Sequence, residues 1–214
     1  LHPTIGCTVV LSRVGKAQRA HRDDNASTDA SASLIRETHM ADYRRLRQAG
    51  GYYFFTLTLA DRGSCLLVDE ISRLRQAYRT VALRRPFETL AICVLPDHLH
   101  AVWRLPEGDS DFSTRWAQIK ALFSRGLAAV ERSDSKVRHR EKGIWQRRFW
   151  EHCIRDTDDL KRHIDYVHIN PVKHGLVERV IEWPYSSFHR YVLRGELPAD
   201  WATSGLLLPQ DFGE

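Results

Sequence analysis

Phe87-Glu88-Thr89-Leu90-Ala91-Ile92-Cys93-Val94-Leu95, then Pro96-Asp97, then His98-Leu99-His100-Ala101-Val102-Trp103-Arg104-Leu105, is the stretch that decides the fold. Both runs are apolar, aromatic and β-branched and of strand length, and Pro-Asp between them is a turn dipeptide. Strands joined so tightly pair antiparallel. Upstream, Gly50-Gly51 precede Tyr52 to Leu59, another aromatic and threonine-rich strand. Between the strands, Asp69 is placed to cap a helix whose Ile71, Leu74, Tyr78 and Val81 recur at helical steps and which ends before Pro86. Downstream, Phe112, Trp116, Ile119, Phe123 and Val130 mark one face of a second helix, with Arg115 and Lys120 elsewhere. Residues 132–143 are a polar basic loop, and Ile144 to Ile154 is a possible strand carrying aromatics and arginines together. Thr157 before Asp158 and Asp159 opens a third helix, where acidic groups suit the positive end of the dipole. Helices inserted between antiparallel strands imply an α+β sandwich with helices packed on the sheet.

Composition narrows the function classes. The 214 residues carry 32 Lys+Arg against 27 Asp+Glu, a formal charge of +5. At 43% hydrophobic and 28% charged, the chain can bury a core and is not wholly disordered. No apolar run approaches the roughly 18 residues a spanning helix needs. Cys7, Cys65, Cys93 and Cys153 show no CxxC pairing, so neither a disulfide framework nor a four-cysteine zinc site is indicated, and the cytoplasm is the expected compartment. Residues 1–39 show no sustained period, and Met40 is the sole methionine. They are expected to be an extension without a fixed fold, or to precede the natural start. The mild basic excess does not by itself separate a nucleic-acid binder from an ordinary soluble protein.

Three features could carry chemistry. In a strand, His98, His100 and Val102 point one way and Leu99, Ala101 and Trp103 the other, so two imidazoles stand side by side. They could share a cation, or be two strand histidines with ordinary hydrogen bonds. In the third helix, Leu160, Ile164 and Val167 form one stripe, while His163, Tyr166 and Asn170 cluster about 90° round from it. Tyr166 is then either a rim residue of the core or a phenol projected with the Asn170 amide toward the histidines. Pro171 disfavours helical geometry at Asn170 and predicts the helix end there. Third, Gly143 to His152 and Trp183 to Tyr191 interleave aromatics with arginines, as surfaces that stack bases and hold phosphates do.

Four stretches occur together and in order: Tyr53-Phe54-Phe55-Thr56, Leu95-Pro96-Asp97-His98-Leu99-His100, Gly143-Ile144-Trp145-Gln146-Arg147-Arg148-Phe149-Trp150-Glu151-His152, and Asp165-Tyr166-Val167-His168-Ile169-Asn170-Pro171-Val172-Lys173-His174-Gly175-Leu176-Val177. Jointly they resemble the REP-associated tyrosine transposases, bacterial single-tyrosine members of the HUH nuclease superfamily, with Leu99 as the bulky apolar U. The resemblance spans residues 40–201 and leaves 202–214 as a tail. It implies a ferredoxin-like (RRM-like) α+β fold, an antiparallel sheet with helices packed on one face, and the tyrosine on a facing helix. It further implies Mg²⁺ or Mn²⁺ on His98, His100 and Asn170, and Tyr166 as the nucleophile. The implied activity is cleavage and rejoining of single-stranded DNA at REP palindromic hairpins through a 5′-phosphotyrosine, by a monomer in the cytoplasm, at the nucleoid. Trp145, Arg147 and Arg148, with Arg44, Arg45 and Arg190, are the expected DNA contacts; Lys173 and His174 stay outside the catalytic set. Two alternatives remain from the residues: an RRM-like module that binds nucleic acid without cutting it, and a zinc hydrolase using His98 and His100 with His152 or Cys153.

Overall fold

The structure is a computed structural model that describes residues 48–130, 134–139 and 141–202. Arg44, Arg45 and the expectations about residues 1–39 and most of the tail lie outside the described residues. Strands β1 (Tyr52–Thr58), β2 (Glu88–Val94), β3 (His98–Arg104) and β4 (Trp150–Cys153) form one antiparallel sheet in the order β2-β3-β1-β4. This is the ferredoxin-like arrangement that the family resemblance implies.

Register turns the alternation of β3 into two faces. Phe54, Thr56 and Thr58 of β1 lie opposite Val102, His100 and His98, while Tyr53, Phe55 and Leu57 lie opposite Trp103, Ala101 and Leu99. Before β2 come α1 (Leu66–Asp69) and α2 (Ile71–Arg84), and after β3 comes α3 (Phe112–Ser124). Leu74, Ala77 and Val81 of α2 join Phe112, Trp116, Ile119 and Phe123 of α3 over the Tyr53, Phe55 and Trp103 face. Trp103 stacks on Trp116 at 4.1 Å, and its indole N–H donates to Tyr78 at 2.6 Å, so the polar handle of a fully buried ring is satisfied.

Helix α5 (Thr157–Lys173) covers the opposite face, packing Tyr166 and Val167 on Phe54, Ala91, Cys93 and Val102. Helices therefore lie on both faces, which corrects the expectation of one. The middle of the histidine face is as apolar as the other and has to be removed from water too.

Other boundaries shift for local reasons. The cap of α2 is Glu70, because Asp69 closes α1. Helix α3 ends at Ser124 before Gly126, whose φ of +83° turns the chain, so Val130 is off the helix and 47% exposed. Arg115, expected away from the buried face, is 2% exposed: it pairs with Asp109 at 2.6 Å and donates to the carbonyls of Arg85, Pro86 and Asp111. The basic loop contains a short helix, α4 (Asp134–Arg138).

The open edge of β2 is covered by residues 185–187: Val94 donates to the Tyr185 carbonyl at 2.9 Å and Ser187 to that of Ile92 at 2.8 Å. A further helix, α6 (Phe188–Leu193), follows. Among the described residues, no helix is long and apolar enough to cross a membrane.

Helix α5 does not stop before Pro171. It continues to Lys173 and closes at His174-Gly175, where Gly175 has φ +65° and the amides of Gly175 and Leu176 return to the carbonyls of Val172 and Pro171, each at 2.9 Å. Proline removes only the bond to the carbonyl four residues back. Burial of Tyr166 and Val167 against the sheet, and of Ile169 against Val180 and Phe188, holds the last turns in place despite it.

Candidate active site

The histidine pair is oriented from behind. His98 is 2% exposed and directs Nδ1 at Asp97 Oδ1, 2.7 Å away, while Asp97 is itself held by Arg62 at 2.8 Å. Burial pushes the Asp97 carboxyl up, but the hydrogen bond and charge of His98 and the charge of Arg62 outweigh it and keep it below the usual carboxylate range. A carboxylate only accepts, so His98 Nδ1 carries a proton toward Asp97, and in the neutral form of the ring the lone pair is therefore on Nε2. His100, fully buried, meets Thr56 Oγ1 through Nδ1 at 3.0 Å; the two are direct cross-strand partners. The imidazoles stand nearly perpendicular, with ring centroids 5.0 Å apart. Nδ1 partners that fix a ring while Nε2 points elsewhere are the support that metal-binding histidines use.

Helix α5 brings the remaining groups. Tyr166 is fully buried and meets His100 edge-on at 5.3 Å, and His174 approaches His98 at 5.0 Å. Residues four apart share a helix face, so Asn170, midway between Tyr166 and His174, faces the histidine pair. Its Nδ2 donates to the Tyr166 carbonyl at 3.0 Å, which fixes the amide. Asn170 Oδ1 and His98 Nε2 are both buried and, among the described residues, accept no hydrogen bond. Each such acceptor costs about 1–3 kcal/mol if left unsatisfied, and a cation would satisfy both at once. Lys173, which the sequence leaves outside the catalytic set, donates from Nζ to the Tyr166 phenolic oxygen at 3.2 Å. Its seven-residue spacing from Tyr166 on one helix face is the available signal, and a helix end at Pro171 obscures it.

A second cluster on the same sheet face joins His152, Asp159 and His163, whose ligand-type atoms lie within 4.8 Å of one another. His152 Nε2 meets Asp159 Oδ2 at 2.8 Å, the Arg155 amide donates to that oxygen at 3.1 Å, and His163 Nδ1 is 3.2 Å from Oδ1. The zinc hydrolase reading fails here. His152 is turned to Asp159, and Cys153 lies on the other face, opposite Tyr53, with Sγ toward Gln48.

The expected DNA contacts are dispersed. Trp145 is 8% exposed, packed on Phe123 at 5.4 Å with Lys120 over its ring at 5.5 Å. Arg147 is exposed and paired with Glu141 at 3.0 Å; Arg148 is exposed. Trp145 and Arg147 border a cavity of about 520 Å³ shared with Lys120, Arg125 and Lys142. Arg190 instead turns its guanidinium onto the carbonyls of Thr89 and Leu90, where β2 bulges.

A ferredoxin-like sheet with two buried histidines on a central strand, facing a tyrosine on a packed helix, defines a single-tyrosine HUH nuclease. A relative from Haemophilus influenzae (strain ATCC 51907 / DSM 11121 / KW20 / Rd), bearing the name of the REP-associated tyrosine transposases, is 52% identical over 164 residues, covering 76% of this chain and 93% of its own; the REP-associated tyrosine transposase of Escherichia coli (strain K12) is 49% identical over 163 residues, covering 76% and 92%. The chain belongs to the REP-associated tyrosine transposases. A solved structure of the REP-associated tyrosine transposase bound to a REP hairpin shares 45% identity and superposes with a TM-score of 0.67, covering 82% of this chain and 100% of that one. No family model matches the chain. The HUH family works with a divalent cation, and the buried acceptors His98 Nε2 and Asn170 Oδ1 are of the chemistry that would hold one.

Proposed function

We propose that this chain is a metal-dependent endonuclease and strand transferase that cuts and rejoins single-stranded DNA at REP-type hairpins through a 5′-phosphotyrosine on Tyr166. The observation that carries the reading is the pair of buried acceptors, His98 Nε2 and Asn170 Oδ1, on the same side as the Tyr166 ring. Mg²⁺ or Mn²⁺ held by His98, His100 and Asn170 supplies the positive charge that a phosphodiester under attack requires. Asp97 and Thr56 hold the two imidazoles for it. Tyr166 forms the ester and a 3′-hydroxyl departs; because the new bond keeps the character of the old one, a 3′-hydroxyl can reverse the step and join strands.

DNA reaches the site along Trp145, Arg147 and Arg148 and the basic cavity beside them, with Arg44 and Arg45 on the approach to β1 in the sequence. Arg190 supports this surface from behind by holding β2. The chain works as a monomer at the nucleoid, and residues 40–214 suffice for cleavage.

A nicking assay on a labelled REP hairpin oligonucleotide tests the reading. Mg²⁺ or Mn²⁺ should support cleavage and EDTA should stop it, Tyr166→Phe should form no covalent adduct, and His98→Ala should bind DNA without cutting it. Adduct formation by Tyr166→Phe would sink the nucleophile assignment, and no adduct from the unaltered protein would leave an RRM-like binding module as the better account.

A further inference from the structure

We propose that Lys173 is a catalytic residue of the tyrosine chemistry: its ammonium holds the Tyr166 phenolic oxygen and is the counter-charge of the phenolate in both cleavage and rejoining. The inference rests on the assignment of Tyr166 as nucleophile. Two distances carry it. Lys173 Nζ donates to Tyr166 Oη at 3.2 Å, and the same nitrogen lies 4.9 Å from the centre of the Tyr166 ring, so the side chain lies back along the phenol.

Helix geometry explains why a residue two turns away can do this. Seven residues return to the same face about 10 Å along the axis, and helical side chains tilt toward the N-terminus. A lysine downstream of Tyr166 is therefore directed back at it, which an upstream lysine would not be. The contact exists because α5 runs on through Pro171 and closes at Gly175. A helix ending at Asn170 would have left Lys173 in a loop.

The chemistry gives such a cation a defined task. A phenolate approaching a phosphodiester brings negative charge to negative charge, and the groups on β3 serve the phosphate, not the attacking oxygen. In cleavage, the phenol gives its proton to water, Oη bonds to phosphorus, and the bond from phosphorus to the 3′ oxygen breaks; that oxygen takes a proton from water. Lys173 stays an ammonium throughout. In rejoining, the 3′-hydroxyl gives its proton to water and attacks phosphorus, the bond from phosphorus to Oη breaks, and the same ammonium meets the departing phenolate, which takes a proton from water. Both directions cross one transition state, so removing the charge should slow both.

The test uses the full chain with Mn²⁺ and a labelled hairpin oligonucleotide carrying its single-stranded flank, in single turnover at saturating DNA. Lys173→Met should slow adduct formation about 100-fold and slow rejoining as well, with the dissociation constant for DNA changed less than about twofold. Lys173→Arg should recover at least about tenfold of that loss, since it restores the charge with different geometry. The proposal alone is overturned if Lys173→Met forms adduct within about threefold of the unaltered rate, if Arg is no better than Met, or if weaker DNA binding accounts for the loss. Should Lys173→Met fail to fold, Lys173→Gln and Lys173→Arg make the same comparison. Absence of any Tyr166 adduct in the unaltered protein overturns the nucleophile assignment and this proposal together.

Discussion

Phe54 is flanked on one sheet face by two histidine groups built in opposite ways: His100 stacks on its ring at 5.5 Å and His163 meets it at 4.9 Å. In the first group, His98 and His100 have separate Nδ1 partners, Asp97 and Thr56, and an acceptor of His98 is left with no hydrogen bond. In the second, His152 and His163 converge on one carboxylate that also accepts the Arg155 amide and lies 3.4 Å from Arg162. Burial pushes the Asp159 carboxyl up, yet the hydrogen bonds from His152 and the Arg155 amide, with the nearby positive charges, hold it at about 2. Ligand-type atoms at metal-binding spacing are thus not enough. The Asp159 charge is already compensated and ties β4 to α5, whereas the β3 site withholds compensation where a cation would provide it.

The largest expected effect separates the two groups. His98→Ala or Asn170→Ala should lower metal-dependent cleavage by about 10³-fold or more while changing the melting temperature little. Asp159→Ala should do the reverse, destabilising the fold by about 2 kcal/mol because it strips charged hydrogen bonds from a buried cluster, with cleavage per folded molecule nearly unchanged. Calorimetric titration with Mn²⁺ on both variants, beside urea unfolding, checks this. Loss of Mn²⁺ binding in Asp159→Ala but not in His98→Ala would reverse the assignment.

A smaller effect is expected from the groups that aim the β3 rings. Asp97→Ala and Thr56→Val should each weaken Mn²⁺ binding about 10- to 100-fold, since an imidazole without its Nδ1 partner is free to rotate. Thr56→Val keeps the β-branched shape that suits a strand, so its effect should leave the sheet intact. Unchanged affinity in both would mean that packing alone orients the histidines.

How much of this is legible in the sequence follows from the range of the interactions. The sheet, its antiparallel pairing and the shared face of His98 and His100 follow from local pattern, because a strand alternates and a Pro-Asp turn reverses it. Phe54 and Val102 show that the histidine face needs its own helix, yet their burial depends on which face α5 chooses, and periodicity alone puts Leu160, Ile164 and Val167 in the stripe instead. Arg115 reads as a solvated helical arginine; its partners, the carbonyls of Arg85 and Pro86, are about thirty residues away in the chain. Asp159 belongs to the first turn of a helix by sequence and to β4 by contact. Lys173 is hidden by the preference of single residues before proline, which tertiary packing overrides.

A third buried histidine sharpens the contrast through pH. His168 Nε2 lies 3.0 Å from Ser187 Oγ, a hydroxyl whose oxygen accepts from the Ile92 amide. Burial pushes its pKa down to about 3, and the charge of Arg190 adds to the effect. The unfolded chain binds a proton at this residue below 6.5 and the folded chain does not until about 3, so stability is full above 6.5 and falls with pH between these values. From pH 6.5 to 5 the loss from this site should be about 2 kcal/mol, and His168→Gln should remove that slope. Urea midpoints at the two pH values measure it; parallel slopes for the two proteins would show that His168 is protonated in the fold.

The smallest effect tests what the arginines around Asp159 do. Arg155 is 3.7 Å from its carboxylate with a side chain 75% exposed, and Arg162 is 3.4 Å away and 57% exposed. Ion pairs so open to water contribute about 0–1 kcal/mol, so replacing both by alanine should barely move the unfolding midpoint. That result would assign the stability of the cluster to His152 and the Arg155 amide, which Arg155→Ala leaves in place. The same double variant, assayed for single-stranded DNA binding across a salt series, asks a second question. If the arginines serve only Asp159, the slope of log affinity against log salt is unchanged; if they also hold phosphates, it falls by about 0.7 for each phosphate no longer neutralised. A flatter slope with an unmoved midpoint would make the second histidine group a mount for DNA-binding side chains, and the two groups flanking Phe54 would then act on one strand, the first on its scissile phosphate and the second on its backbone further along.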